Sequence, residues 1–132
     1  MELLLIPIKS MIIYFWHNIY PLHWFVAHLI GDYALQNDFM AQNKKTSSPH
    51  CLLHIATYMI PFLLCGLAWW QLLLIGIQHY LQDRGQFVNW YFKVMGKEKF
   101  GAPPCGPWSL FIVDNIFHIL FMILVCGQVV IR

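Results

Sequence analysis

Long apolar runs, interrupted by two polar stretches, set the pattern of the chain. A helix that crosses the hydrocarbon core of a bilayer needs about 20 mostly apolar residues. Four segments approach that length, at about residues 11–35, 51–68, 71–90 and 108–130. Pro21 marks a kink or an entry turn in the first, and Pro61 sits near the middle of the second. The polar run 37–50 reads as a loop, and the Lys-, Gly- and Pro-bearing run 93–107 as the longest irregular stretch. A very short link near Trp69 and Trp70 makes the second and third helices a tight antiparallel hairpin. Residues 2–9 are too short to span and are expected at the interface. The pattern therefore predicts an all-α, polytopic membrane protein, a bundle of four transmembrane helices in one domain covering residues 1–132.

Composition strengthens the membrane reading. Hydrophobic residues make up 59 % of the chain, charged residues 11 % and aromatic residues 17 %. Soluble domains carry about 25 % charge, whereas Trp and Tyr gather at membrane interfaces. A net charge of +2 is too small for a nucleic-acid partner. The four cysteines are scattered without a C-x-x-C pair, as small apolar fillers would be. With Glu2 in place of a basic n-region and no A-x-A site, no cleavable signal peptide is expected.

Orientation follows from lysine and arginine. Lys44 and Lys45 lie in the first loop; Lys93, Lys97 and Lys99 lie in the last, with Arg84 nearby. Lys9 and Arg132 are the cations of the other side. Both loops are thus expected in the cytoplasm and both termini outside.

Against this apolar background, ionisable residues stand out. An Asp at the centre of a span costs about 2.5–3.5 kcal/mol. Asp32, Asp83 and Asp114 all fall within predicted spans, and each has a histidine four residues away. The pairs are His28 with Asp32, His79 with Asp83, and Asp114 with His118. Positions i and i+4 share a helix face. The second helix adds His54. At about 1.5 Å of rise per residue, all seven residues fall in the half of the bilayer nearest the Lys-bearing loops.

Imidazole and carboxylate together suit a divalent metal: Zn through nitrogen, Mn or Mg through oxygen. Seven such groups exceed the needs of one four-coordinate ion. They suffice for two ions, or for one ion with further carboxylates orienting the imidazoles. A bound metal would turn water into a nucleophile at neutral pH, with Asp32, Asp83 or Asp114 as the catalytic base. A single intramembrane His–Asp pair is more often a structural hydrogen bond or a proton relay; three pairs at one depth, plus His54, favour metal. His17 and His23 lie in an aromatic stretch that suits packing or an interface, and His50 sits at the loop. Arg84 either snorkels or meets an anionic headgroup. Gln36, Asn43 and Asn115 either bond within the site or cap helices. Gly31 suits close helix packing.

At these residues the chain resembles a known family. HLIGDYALQNDFMAQNKK, His54, HYLQDR and VDNIFH resemble the small membrane proteins of domain-of-unknown-function family 3307, found in bacteria and common in bacteriophages. The resemblance covers about residues 28–118. That family is similar to inner-membrane metal-dependent hydrolases, so the resemblance implies a bacterial inner-membrane location and an inferred hydrolase activity. It implies His28, Asp32, His54, His79, Asp83, Asp114 and His118 as the site, and not His17, His23 or His50. Asn115 stands where Gln is expected in many relatives.

Three functions follow as expectations. The first is a membrane-embedded hydrolase acting on a lipid-linked phosphoester from the cytoplasmic leaflet, as a monomer or an oligomer. The second is an ion, proton or metal transporter, which predicts polar residues through the whole bilayer; the stretches around Phe62 and Phe121 are instead apolar. The third is a non-enzymatic phage membrane protein of lysis or host interaction, which has no need of seven polar groups at one depth. Bis-His haem and a quinone-linked disulfide chemistry explain fewer of the residues.

Overall fold

The computed structural model describes residues 22–127. The beginning of the first predicted span, with Pro21 and His17, the interfacial run 2–9 and both termini lie outside the described residues. Among the described residues the chain forms six α-helices. Helix α1 (His23–Leu29) runs directly into a π-helical turn (Ile30–Ala34), followed by α2 (Asp38–Asn43) and α3 (Ser48–Leu63). Then come α4 (Trp69–Arg84), α5 (Phe87–Val94) and α6 (Gly106–Cys126). Helices α1, α3, α4 and α6 close a four-membered ring, each packed on two neighbours, while α2 lies on α3 and α5 bridges α4 and α6.

The bundle is inverted in polarity. Its interior holds His28, His54, His79, His118, Asp32, Asp83, Gln82 and Ser109, all buried. A small apolar core of Ala27, Tyr58, Phe62, Ile75 and Met122 fills the rest of the centre. The large apolar side chains mostly face outward, among them Leu63, Leu64, Trp69, Leu81, Leu120 and Leu124.

Among the described residues one helix, α6, is long and apolar enough to cross a membrane: 21 residues with a mean hydropathy of 2.2, and only 17 % of its most apolar window is buried. The second and third predicted spans are cut shorter for local reasons. The second ends at Leu63, and the hairpin link is Leu64–Ala68 with Gly66 at φ +66°, so Trp69 and Trp70 begin α4 rather than form the turn. The Gln71 side chain then accepts from the Ala68 N–H at 2.8 Å and donates to the Val125 carbonyl at 2.8 Å, tying the turn to α6. The third predicted span breaks at Gly85. Gln86 adopts φ 52°, and α5 leaves in a new direction, with Val88 and Phe92 buried and Trp90 exposed.

The first polar stretch is more ordered than a loop. Asn37 accepts from the Met40 N–H at 2.9 Å and starts α2. Met40 is buried against α3, where the Thr57 hydroxyl meets its sulfur at 3.7 Å. Arg84 fastens the following turn: Nη1 donates to the Lys45 carbonyl at 2.7 Å and Nε to Ser48 Oγ at 3.2 Å. The guanidinium is thus engaged with the chain itself.

The π-helical turn explains how α1 comes so close to α3. Leu35 donates to the carbonyl of Ile30 at 2.9 Å, five residues back, a geometry that favours functional sites. Gly31 lies directly on Tyr58: a Cβ there would stand 2.6 Å from Tyr58 Cδ2 and 2.9 Å from its carbonyl oxygen. At Gly76 the nearest atom would be Met59 Sδ at 3.7 Å, an ordinary contact. Gly31→Ala is therefore expected to destabilise the fold by about 1–3 kcal/mol through overpacking. Gly76→Ala is expected to be neutral or to stabilise by up to about 1 kcal/mol through helix propensity. Thermal unfolding of the two variants in detergent micelles checks the contrast.

A candidate metal centre

The i,i+4 spacing puts each His and Asp of a pair on one helix face, and the ring of helices turns those faces inward. Asp32 comes from the π-helical turn, His54 from α3, His79 and Asp83 from α4, and Asp114 and His118 from α6. All seven predicted residues meet in one cluster. Three overlapping sets have ligand atoms close enough together to hold a metal ion: His28, Asp32 and His79; His54, His79 and Asp83; and Asp83, Asp114 and His118.

The tightest part is a group of four atoms. His54 Nε2 and His79 Nε2 are 3.1 Å apart, and each lies 3.2 Å from Asp32 Oδ1 and 3.3 Å from Asp83 Oδ2. A charge-assisted N–H···O contact would close to about 2.7–2.9 Å and select one oxygen. Here each nitrogen is held almost equally from two oxygens and from the other nitrogen. Such spacings are compatible with His54 and His79 sharing one ion with Asp83, or with Asp32. Tetrahedral zinc at about 2.0–2.1 Å sets its ligands about 3.3 Å apart, and adjacent octahedral ligands at that radius stand about 3.0 Å apart. Asp32 Oδ1 is buried without a hydrogen-bond partner among the described residues, as a ligand oxygen would be before its cation binds, whereas Asp83 Oδ2 already meets the Lys44 ammonium at 2.9 Å.

Charge supports the same fit. Asp32, Asp83 and Asp114 bring three negative charges, and Lys44 is the ammonium in contact, 2.9 Å from Asp83 Oδ2. With neutral imidazoles the balance is −2, which a divalent cation cancels. Lys44 caps α2 and reaches inward with a side chain only 12 % exposed. Its burial disfavours the charge, but the carboxylates of Asp83 and Asp32 outweigh that and raise its pKa above the ordinary lysine value. No sequence pattern singled out Lys44 as part of the site; its place in the polar run beside Asn43 was read only as a topology signal.

Two hydrogen-bond chains decide the imidazole tautomers. In the first, Gln82 Nε2 donates to the backbone carbonyl of Asp114 at 2.8 Å and to Asp114 Oδ1 at 2.8 Å. A carbonyl only accepts, so Gln82 Oε1 is left to accept from Gln78 Nε2 at 2.6 Å. Gln78 Oε1 in turn takes the Nδ1–H of His118 at 3.2 Å. His118 Nε2 faces Asp114 Oδ2 at 3.5 Å and Asp83 Oδ1 at 3.8 Å, both beyond hydrogen-bond length.

The second chain treats His28 differently. Asn115 Nδ2 donates to the Phe111 carbonyl at 2.9 Å, so its oxygen accepts the Nε2–H of His28 at 2.9 Å. His28 Nδ1 then accepts the Tyr58 hydroxyl at 3.0 Å, with Asp32 Oδ2 farther off at 3.5 Å. Both nitrogens of His28 are engaged, which makes it a support of Asp32 and Tyr58 more than a free ligand. Asn115 thus bonds within the site, whereas Asn43 ends α2 by donating to the Phe39 carbonyl at 2.8 Å.

Ring packing orients the remaining imidazoles. His79 is stacked between Tyr58, at 3.7 Å, and His118, at 4.1 Å. The Nδ1 atoms of His54 and His79 are buried with no hydrogen-bond partner among the described residues. The fit to a metal is thus complete at the ligand atoms and open behind these two rings. His50 lies outside the cluster, bonded to Ser47 Oγ and edge-on to Phe39 at 4.7 Å. His23, at the start of α1, passes its carbonyl to the Cys65 thiol at 3.6 Å. All four cysteines are unpaired, and Cys51 is fully buried.

Asn115→Leu leaves the buried His28 N–H without an acceptor and is expected to cost about 1–3 kcal/mol of stability. Metal stoichiometry is expected to stay unchanged, because His28 is engaged elsewhere. Chemical denaturation and metal analysis on the same purified variant check both halves of the expectation.

No curated protein and no solved structure matches the chain. Over residues 22–131, which include the whole His/Asp cluster and all six helices around it, the chain matches and belongs to the protein family of unknown function DUF3307.

Proposed function

We propose that the protein is a multi-pass membrane protein whose His/Asp cluster holds a divalent metal and hydrolyses a lipid-linked phosphoester. The approach of His54 Nε2 and His79 Nε2 to each other, to Asp32 Oδ1 and to Asp83 Oδ2, at 3.1–3.3 Å in all five separations, is the observation that carries this reading. Zinc suits the two nitrogens, and Mn or Mg suits the carboxylates. The set of Asp83, Asp114 and His118 beside it leaves room for a second ion.

Inverted polarity supports a fully embedded bundle, since lipid is the solvent that tolerates an apolar outside. Helices α3 and α4 have 16 residues each, about 24 Å at 1.5 Å per residue. A membrane thinned locally, or interfacial side chains at the ends, absorbs the few ångströms that are missing. Lys44, Lys45 and Arg84 at the cluster's end fit the cytoplasmic side, as the positive-inside rule requires. The apolar core of Phe62, Ile75 and Met122 plugs the bundle interior toward the hairpin, which speaks against a continuous conduit.

The bound ion supplies Lewis acidity and activation of water at neutral pH. Among the three carboxylates, Asp114 suits the role of general base. Its side chain is 28 % exposed, against 8 % for Asp32 and 2 % for Asp83. Gln82 holds its Oδ1, leaving Oδ2 to take a proton. Water adds its oxygen to phosphorus, its proton passes to Asp114, and the lipid oxygen departs with that proton. Lys44 and Lys45 steady the phosphate charge.

Purified protein is expected to carry at least one divalent ion. Asp83→Asn and His79→Ala are expected to lose it along with its thermal stabilisation, and His50→Ala to keep both. Wild-type protein that is folded, stays metal-free after metal-replete expression and gains no stability from Zn, Mn or Mg overturns the reading. Asp114→Asn is expected to retain the ion held by His54 and His79 while hydrolysis of a phosphoester substrate falls by about 10²–10⁴-fold in kcat; metal analysis and steady-state kinetics on metal-loaded variant protein check it.

A further inference from the structure

Two apolar grooves run down the outside of α4. One, of about 370 Å³, lies toward α3, between Leu52, Ile55, Leu73 and Gly76. The other, of about 540 Å³, lies toward α6, between Leu74, Ile77, Leu120 and Leu124. They differ in one respect. The α4–α6 groove has Gln78 and Gln82 in its wall, the two amides that bond His118 and Asp114. It also runs on, through Gln82 and Phe87, into a small polar cleft lined by Lys45, Asn89 and Asp114. From Leu74 to Gln82 the wall along α4 extends about 12 Å at 1.5 Å per residue. The volume lies in the range of small-molecule sites.

We propose that the α4–α6 groove is the seat of a single hydrocarbon chain whose phosphate headgroup lies at the mouth of the Lys45–Asp114 cleft, which itself encloses only about 20 Å³. The occupant is a long-chain phosphate entering sideways from the bilayer between α4 and α6. The argument is continuity: a hydrocarbon-walled slot ends at a cation and at the carboxylate of the cluster, and an amphiphile with one chain and one anionic head has that shape and charge order. The α3–α4 groove has no such polar end and solvates ordinary lipid. This inference rests on the phosphoester reading and names the route and chain site of its substrate.

The test uses the full chain, metal-loaded, in phosphatidylcholine vesicles doped with a diazirine-bearing long-chain alkyl monophosphate. Labelled positions are mapped by mass spectrometry. Labelling of the α4–α6 groove is expected to exceed that of the α3–α4 groove by about fivefold or more, a bias of about 1 kcal/mol. Unlabelled alkyl phosphate is expected to compete and the matching alkanol not to. Leu120→Trp, which fills the groove from a lipid-facing position, is expected to remove the excess, and Leu73→Trp to leave it. Equal labelling of the two grooves, or equal competition by the alkanol, overturns the proposal. So does a Leu120-centred crosslink to a second copy, or to another segment of this chain. Labelling requires no turnover, so a groove that labels as expected in a protein without hydrolase activity separates failure of the catalytic reading from failure of this one.

Discussion

Three carboxylates share the interior of a small bundle with one ammonium, and the structure is organised around compensating that charge. Carboxylates left bare in a low-dielectric interior are prohibitive. The chain meets the problem by drawing donors from every side: imidazoles from α1, α3, α4 and α6, and Lys44 from the end of α2. The imidazole N···O distances are 3.2 Å and above, whereas the Lys44 ammonium comes within 2.9 Å of Asp83. Helix α2 makes sense in this light. It turns what would be a plain connection into an arm that brings an ammonium to Asp83, and Arg84, the next residue, pins the far side of that arm.

Direction in the polar network comes from two backbone carbonyls. The Asp114 carbonyl sets Gln82, Gln78 and His118 in order, and the Phe111 carbonyl sets Asn115 and His28. Both lie on α6, so the most apolar helix of the bundle also dictates which ring nitrogens carry protons. The two histidines, alike in spacing from their aspartates, end in different surroundings: one with both ring nitrogens hydrogen-bonded, the other with Nε2 turned to the carboxylates.

The pairs themselves were legible because helical periodicity is the strongest signal a sequence carries. His28/Asp32, His79/Asp83 and Asp114/His118 announce shared faces at a glance, and the all-α class follows from the apolar runs. What periodicity does not carry is where a helix stops. The break at Gly85 and Gln86 depends on one left-handed residue inside an otherwise apolar run, and the π-helical turn depends on the room that Gly31 leaves against Tyr58. Lys44 was invisible as a site residue because its partner, Asp83, is distant in the chain and joined to it only by packing. Gln78 and Gln82 carry an i+4 spacing like that of the His/Asp pairs, and that spacing was the available sign that they act together.

The contact between Gly31 and Tyr58 has a consequence for how such a sequence is free to diverge. The backbone and ring of Tyr58 are the floor on which residue 31 sits, while its hydroxyl is the donor to His28. A larger residue at 31 would press on the backbone of position 58 as well as on its ring, so a smaller side chain there would give only part of the room while stripping His28 of its partner and His79 of the ring it stacks on. Packing and polarity are thus welded at one side chain. Positions 28, 31, 58 and 79 form a unit in which drift at any one is blocked by a different member. Variation among related sequences should accordingly be steered away from that unit and toward the outer, lipid-like faces of α4 and α6.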